Sequence, residues 1–196
     1  MVTSDRFGSV TGVVLAGGKS RRMGRDKARM PFRGRPLLEH MLGLLAQGGA
    51  TPCLVSGRYA GYDCIPDMDA DGGPIAGILA VAEALPGQRL LFVPVDMPLL
   101  DPALIRRLLA EAADAICVRF EDYALPMRLD AMPFVRDRLR AAMRETGRRR
   151  SVLALQAAVG AASLPLGAAD AAAMGNCNTP EEWEGALRAP APLRTP

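Results

Sequence analysis

The sequence is poor in several things that enzymes commonly rely on. Its one histidine, His40, lies beside Met41 in an apolar helical stretch and reads as an ordinary helix residue, which excludes histidine-based triads. Its four cysteines, Cys53, Cys64, Cys117 and Cys177, are far apart and form no Cys-x-x-Cys pair, so neither a zinc knuckle nor a disulfide framework is suggested. Cys177 reads as a packing residue. No apolar run approaches the roughly 20 residues that span a bilayer; the longest are strand-sized pieces such as 90–95. The polar start, 1–9, lacks the apolar stretch of a secretory signal. A formal charge of +3 is compatible with an anionic ligand but too small to argue for a nucleic-acid surface. There is no internal repeat. These absences favour a cytoplasmic protein with reduced thiols and neither membrane nor nucleic acid as partner.

What remains suits one domain: 196 residues with 49% hydrophobic content can bury one sizeable core. The expected organisation is a flexible start over 1–10, a single domain over 11–188 and a proline- and alanine-rich tail over 189–196. Within the domain, strand and helix alternate. The run 11–16 ends at Gly17-Gly18, as expected of a buried parallel strand feeding a glycine turn. A helix begins near Pro36 with Leu37, Leu38, Met41, Leu44 and Leu45 on one stripe, and stops at Gly48-Gly49. Then come a strand at 52–56, a helix from Pro74 to Pro86, a strand at 90–95, a helix capped by Asp101-Pro102, and a strand at 115–118. The pattern loosens afterwards into a possible strand at 124–129 and helices at 133–144 and 151–159. Thr179-Pro180-Glu181-Glu182 forms a capping box that launches a last helix. Such alternation predicts an α/β fold with a doubly wound, mostly parallel sheet.

The densest chemical signal follows the first strand: Leu15-Ala16-Gly17-Gly18-Lys19-Ser20-Arg21-Arg22-Met23-Gly24-Arg25-Asp26-Lys27. In an open α/β sheet the ligand crevice lies at such a strand end. Glycines allow backbone N–H groups to approach phosphate oxygens, and Lys19, Arg21, Arg22, Arg25 and Lys27 supply the positive charge. Spacing excludes two familiar phosphate loops. Walker A requires a glycine where this chain has Val13, and the Gly-x-Gly-x-x-Gly dinucleotide fingerprint is absent because the glycines are adjacent. An ordinary turn with a solvated basic face is the competing reading, but it leaves five crowded cations without an anion to hold.

Asp96 ends the apolar run 90–95, so its carboxylate emerges in the same crevice. Magnesium takes one or two protein carboxylates and completes its shell with water and phosphate oxygens, so one aspartate can suffice. The alternative is an aspartate that caps the turn before Pro98. Asp26 is a weaker ligand candidate.

Taken together, Leu-Ala-Gly-Gly, Arg-Arg-Met-Gly-x-Asp-Lys, Gly73-Pro74-Ile75-Ala76-Gly77, Val95-Asp96-Met97-Pro98 and Asn176-Cys177-Asn178-Thr179-Pro180-Glu181 resemble the signature of the molybdenum cofactor guanylyltransferases, the MobA type of the nucleotidyltransferase superfamily. The resemblance spans Thr11 to about Leu187 and implies a three-layer αβα fold of Rossmann-like nucleotidyltransferase type. It carries Leu15, Ala16, Gly17, Gly18, Lys27, Ser56, Asp67 and Asp96 onto GTP-contacting positions, with Asp96 as Mg2+ ligand and Arg22, Lys27 and Asp96 as the catalytic set. Asp69 and Asp71 compete with Asp67 for its place, and the position of Ser56 is commonly asparagine in that family. Asn176 and Asn178 would face the pterin side or else form the turn before the Thr179 cap, and Arg148-Arg149-Arg150 is a candidate clamp for an acceptor phosphate or an exposed basic turn.

The activity so implied is transfer of GMP from GTP to the phosphate of molybdopterin with release of pyrophosphate, followed by transient contact with molybdenum insertion proteins or target molybdoenzymes. The segment 119–130 departs most from the family pattern. Two other readings stay open. A CTP-dependent cytidylyltransferase could act on molybdopterin or another phosphate acceptor, although Gly18 is associated by resemblance with guanine users. A non-catalytic nucleotide or cofactor carrier could dispense with metal and with Lys27.

Overall fold

The computed structural model describes residues 8–17, 26–67, 69, 72–168 and 170–190. Its frame is a seven-stranded sheet made of β1 (Thr11–Leu15), β4 (Cys53–Ser56), β5 (Cys64–Ile65), β6 (Arg89–Pro94), β7 (Cys117–Phe120), β8 (Met127–Asp130) and β9 (Ala162–Leu164) in the order β5-β4-β1-β6-β8-β7-β9. All pairings are parallel except those of β8, which runs against β6 and β7. Helices α1 (Leu37–Gln47), α2 (Gly73–Ala84), α3 (Pro102–Ala110), α4 (Pro133–Met143), α5 (Val152–Val159) and α6 (Pro180–Arg188) cover both faces. Alternation along β1 decides which core each side chain enters. Val14 joins α1, α3 and Trp183 of α6 on one face; Val13 joins Ile75, Ile78, Val135 and Leu155 of α2, α4 and α5 on the other. The result is the mostly parallel three-layer arrangement expected. No helix among the described residues is long and apolar enough to cross a membrane.

Several boundaries differ from the sequence reading for physical reasons. Pro36 is not helical: it pairs with Pro31 in a small hairpin of β2 (Pro31–Phe32) and β3 (Arg35–Pro36), and α1 starts one residue later. The strand expected at 115–118 begins at Cys117, because the Ala115 N–H is used in a turn onto the Ala112 carbonyl at 2.9 Å. The strand expected at 124–129 begins only after Pro126, which cannot donate a ladder hydrogen bond, and it runs antiparallel. The short strands β5 and β9 and the hairpin went unpredicted. Of the expected flexible ends, 1–7 and 191–196 lie outside the described residues; Ala189 is fixed by Arg33, whose Nη2 donates to its carbonyl at 2.6 Å.

The half of the sheet beyond β6 is held by buried arginines. Arg89 and Asp130 face each other in the β6–β8 register and form a two-pronged pair, Nε to Oδ1 at 2.8 Å and Nη2 to Oδ2 at 3.1 Å. Arg128 is fully buried, and its two terminal nitrogens donate to the carbonyls of Leu108, Leu109, Glu111, Ala112 and Ala115. It thereby satisfies the carbonyls that the end of α3 leaves without helical partners.

Candidate active site

The carboxyl ends of β1, β4 and β6 finish side by side because parallel pairing runs to their last residues: the Ala16 N–H donates to the Ser56 carbonyl at 3.0 Å and the Val95 N–H to the Leu15 carbonyl at 3.1 Å. Gly17, Ser56 and Asp96 therefore leave the sheet at one edge. Residues 18–25, and with them Gly18, Lys19, Arg21, Arg22 and Arg25, lie outside the described residues, as does Asp71.

Lys27 re-enters at this edge. Asp26 caps a single turn of 3-10 helix, Lys27–Arg29, by accepting the Ala28 N–H at 3.1 Å, and Lys27 is buried within that turn. Its Nζ donates to Asn178 Oδ1 at 2.8 Å and lies 3.7 Å from Asp96 Oδ2. The cation, the carboxylate and the amide thus meet from three distant stretches of chain. Asn178 is brought there by backbone bonds on both sides. The Cys177 N–H donates to the Asp96 carbonyl at 2.8 Å, and Glu182 Oε2 accepts the N–H groups of Asn178 and Thr179 at 2.6 and 2.9 Å. The capping box therefore fixes a site residue as well as starting α6. Asn178 turns to Lys27 while Asn176 is exposed, so the two amides do not share one role.

Burial pushes the Asp96 carboxyl above its ordinary value, and the Lys27 charge pulls it partly back. Glu182 is held below its ordinary value by the two N–H bonds it accepts. Burial raises the Cys177 thiol to about 11, which agrees with its reading as a packing residue. Among the described residues no group of three His, Cys, Asp or Glu side chains could hold a metal. Asp96 offers one partly exposed carboxylate, with side-chain accessibility of 24%. That fits a hard divalent cation whose shell is completed by phosphate oxygens and water, and it does not fit a closed structural site.

A second cluster lies on the β4 side. Ser56, buried, donates its hydroxyl to Asp67 Oδ1 at 2.7 Å. A Cβ on Gly17 would fall inside the Asp67 carboxylate, and a Cβ on Gly77 of α2 would collide with the Ser56 hydroxyl and stand 3.1 Å from Asp67 Oδ1. Both glycines are therefore required by the same carboxylate. Asp67 is the acid beside Ser56, and Asp69 pairs with Arg150, Nη2 to Oδ2 at 2.9 Å. Arg150 also donates to the Gly72 carbonyl at 3.2 Å, so the expected phosphate clamp has one arginine engaged inside the protein. Arg148 and Arg149 are exposed, and Arg149 pairs with Glu145 at 3.7 Å.

His40 is a helix residue, as read, but not an idle one. Its Nε2 lies 2.7 Å from the Pro98 carbonyl and its Nδ1 3.3 Å from Arg35 Nη2, a pattern in which neutral imidazole donates to Pro98 and accepts from Arg35. It anchors the turn two residues beyond Asp96. Sequence reasoning also missed Tyr59, whose hydroxyl reaches Ala16 and Asp26.

Known proteins are similar to this chain in sequence and in fold. The model of the MobA-like NTP transferase domain matches residues 12–161. A molybdenum cofactor guanylyltransferase of Xanthomonas euvesicatoria pv. vesicatoria is 48% identical over 176 residues, covering 88% of this chain and 92% of its own. In fold, the chain is similar to molybdopterin-guanine dinucleotide biosynthesis protein A of Archaeoglobus fulgidus, with a TM-score of 0.74, 21% identity and coverage of 91% and 97%. It also resembles a 2-C-methyl-D-erythritol 4-phosphate cytidylyltransferase of Thermus thermophilus, with a TM-score of 0.64, 17% identity and coverage of 89% and 96%. With the family model spanning most of its length, the chain belongs to the MobA-like NTP transferase family.

Proposed function

We propose that the protein transfers GMP from GTP to the terminal phosphate of molybdopterin, giving the guanine dinucleotide form of the cofactor and pyrophosphate. The observation that carries this reading is the meeting of Lys27, Asp96 and Asn178 at the carboxyl ends of β1 and β6. A phosphate oxygen of the acceptor attacks the α-phosphorus of GTP, a new P–O bond forms, and the bond to the β-phosphate oxygen breaks. No side-chain nucleophile is needed, because the acceptor phosphate is already ionised near neutral pH. Positioning and charge neutralisation carry the rate. Lys27, with donors beyond the one given to Asn178, neutralises the triphosphate; Arg22 does the same from the glycine loop. Ser56 and Asp67 fall on the nucleoside side. Family members typically use a divalent metal, and Mg2+ held by Asp96 and phosphate oxygens would offset the charge of the triphosphate. On this reading the enzyme works in the cytoplasm and passes its product to molybdenum insertion proteins or target molybdoenzymes.

Incubation with molybdopterin, Mg2+ and either GTP or CTP tests the reading by pyrophosphate release. Release with GTP and little with CTP is expected. A preference for CTP would overturn the guanine assignment, and release with neither would overturn the transfer itself.

A further inference from the structure

Tyr59 belongs to none of the motifs that carry the nucleotide reading. It follows β4 on a turn made by Gly57, whose φ of 140° suits only glycine and whose absent Cβ would stand 3.1 Å from the Tyr59 ring. The backbone of Tyr59 is fixed by its own carbonyl, which accepts the Cys64 thiol at 3.2 Å and the Tyr62 N–H at 3.3 Å. From this base the half-buried phenol reaches across to two acceptors, the Ala16 carbonyl at 3.2 Å and Asp26 Oδ1 at 3.1 Å. A phenol has a single hydrogen, so one O–H is shared between them. Ala16 directly follows β1 and Asp26 directly precedes Lys27, so one side chain joins the end of the strand to the turn that carries Lys27.

The Asp26 carboxylate is engaged from two further sides. It accepts the Ala28 N–H at 3.1 Å and lies 3.4 Å from Arg29 Nε, while the Arg29 guanidinium sits 5.7 Å over the Tyr59 ring. Burial and the Asp26 charge both raise the Tyr59 phenol far above its ordinary value, which keeps it a donor at every working pH.

We propose that Tyr59 is a positioning residue: a clasp that ties the end of β1 to Asp26 and so sets the point from which Lys27 enters the nucleotide site. This rests on Lys27 being a triphosphate-binding residue. Tyr59 acts through Asp26, whose carboxylate caps the turn carrying Lys27, and it takes no part in the chemistry. Its loss should weaken ground state and transition state alike, raising KM and sparing kcat.

Tyr59→Phe keeps the ring and its stacking on Arg29 and removes only the shared hydrogen bond. Two readouts are needed: KM and kcat for GTP in guanylyl transfer, and amide hydrogen exchange of Ala28 without nucleotide. The expected result is a KM about tenfold higher with kcat changed by less than about twofold, the size of one lost hydrogen bond to a charged group, together with several-fold faster Ala28 exchange. An unchanged KM overturns the proposal. So does a raised KM with unaltered exchange, because the phenol would then be acting on the nucleotide directly. Failure of the wild-type protein to use GTP would sink the functional reading instead, and Ala28 exchange would then decide the clasp by itself.

Discussion

Lys27 and Arg128 are both cations withdrawn from water, one at the open edge of the sheet and one beneath its far half. Arg128 spends its terminal N–H groups on five backbone carbonyls around the end of α3. Lys27 donates to one amide oxygen at 2.8 Å and stands 3.7 Å from a carboxylate, with donors left over among the described residues. A buried charge whose terminal nitrogens are met by fixed backbone acceptors secures the frame. One held by a few side chains at a strand edge keeps capacity for a ligand. The same contrast separates the paired acids: Asp130 is locked two-pronged to Arg89, whereas burial destabilises the charge of Asp96 and leaves it in want of more positive neighbours.

The largest effect should come from breaking the frame side. Arg128→Met removes the side-chain donors to the carbonyls around the end of α3 and should cost about 3–5 kcal/mol of stability, read by urea unfolding. A loss below about 1 kcal/mol would show that those carbonyls find water, and the comparison would fail on its structural side. Next, Lys27→Met should lower kcat/KM for GTP about 100- to 1000-fold, the scale of removing a preorganised charge-stabilising donor. Its unfolding midpoint should stay close to wild type. Equal damage to stability and to rate would make Lys27 another frame residue.

Gly17→Ala probes the open side more gently. Its new methyl must displace the Asp67 carboxylate from Ser56, so KM for GTP should rise by about tenfold, as expected for one disturbed charge-assisted contact, while kcat changes less. Unaltered kinetics would remove Asp67 from the nucleotide site.

The smallest effect concerns His40, which joins frame to site. Burial lowers its pKa below the ordinary 6.5, with Arg35 and Arg33 adding to the fall and the Pro98 carbonyl opposing it. Neutral His40 therefore contributes stability that is complete above pH 6.5 and is lost as pH falls from there through the lower folded value. Wild type should lose stability more steeply than His40→Gln below pH 6.5, in urea titrations at successive pH values. Parallel curves would mean that His40 stays neutral in both states or is solvated when folded.

The ends of β1 and β6 and the start of α6 were legible in the sequence because their signals are local. A buried strand, adjacent glycines and crowded cations mark the loop, Asp96 follows five apolar residues, and Thr179 to Glu182 spells its own cap. What stayed hidden was hidden for reasons of geometry. Strands β5 and β9, of two and three residues, are too short to show a period. The hairpin turns on Arg33, with φ of 50°, beside Gly34, which lacks the usual asparagine or aspartate cue. Side-chain destinations were also hidden where the partner is distant: Arg150 reaches Asp69, Asn178 reaches Lys27, and Tyr59 reaches Asp26. Only for Tyr59 was there a nearby hint, the Ser56-Gly57 turn at the end of β4.

The central claim is that the carboxylate at the end of β6 serves chemistry and not the fold. Single-turnover guanylyl transfer by Asp96→Ala, at saturating GTP, molybdopterin and Mg2+, tests it most directly. Transfer slowed by about 1000-fold in a protein whose unfolding midpoint is unchanged or higher is the predicted result. Transfer at the wild-type rate would contradict the account.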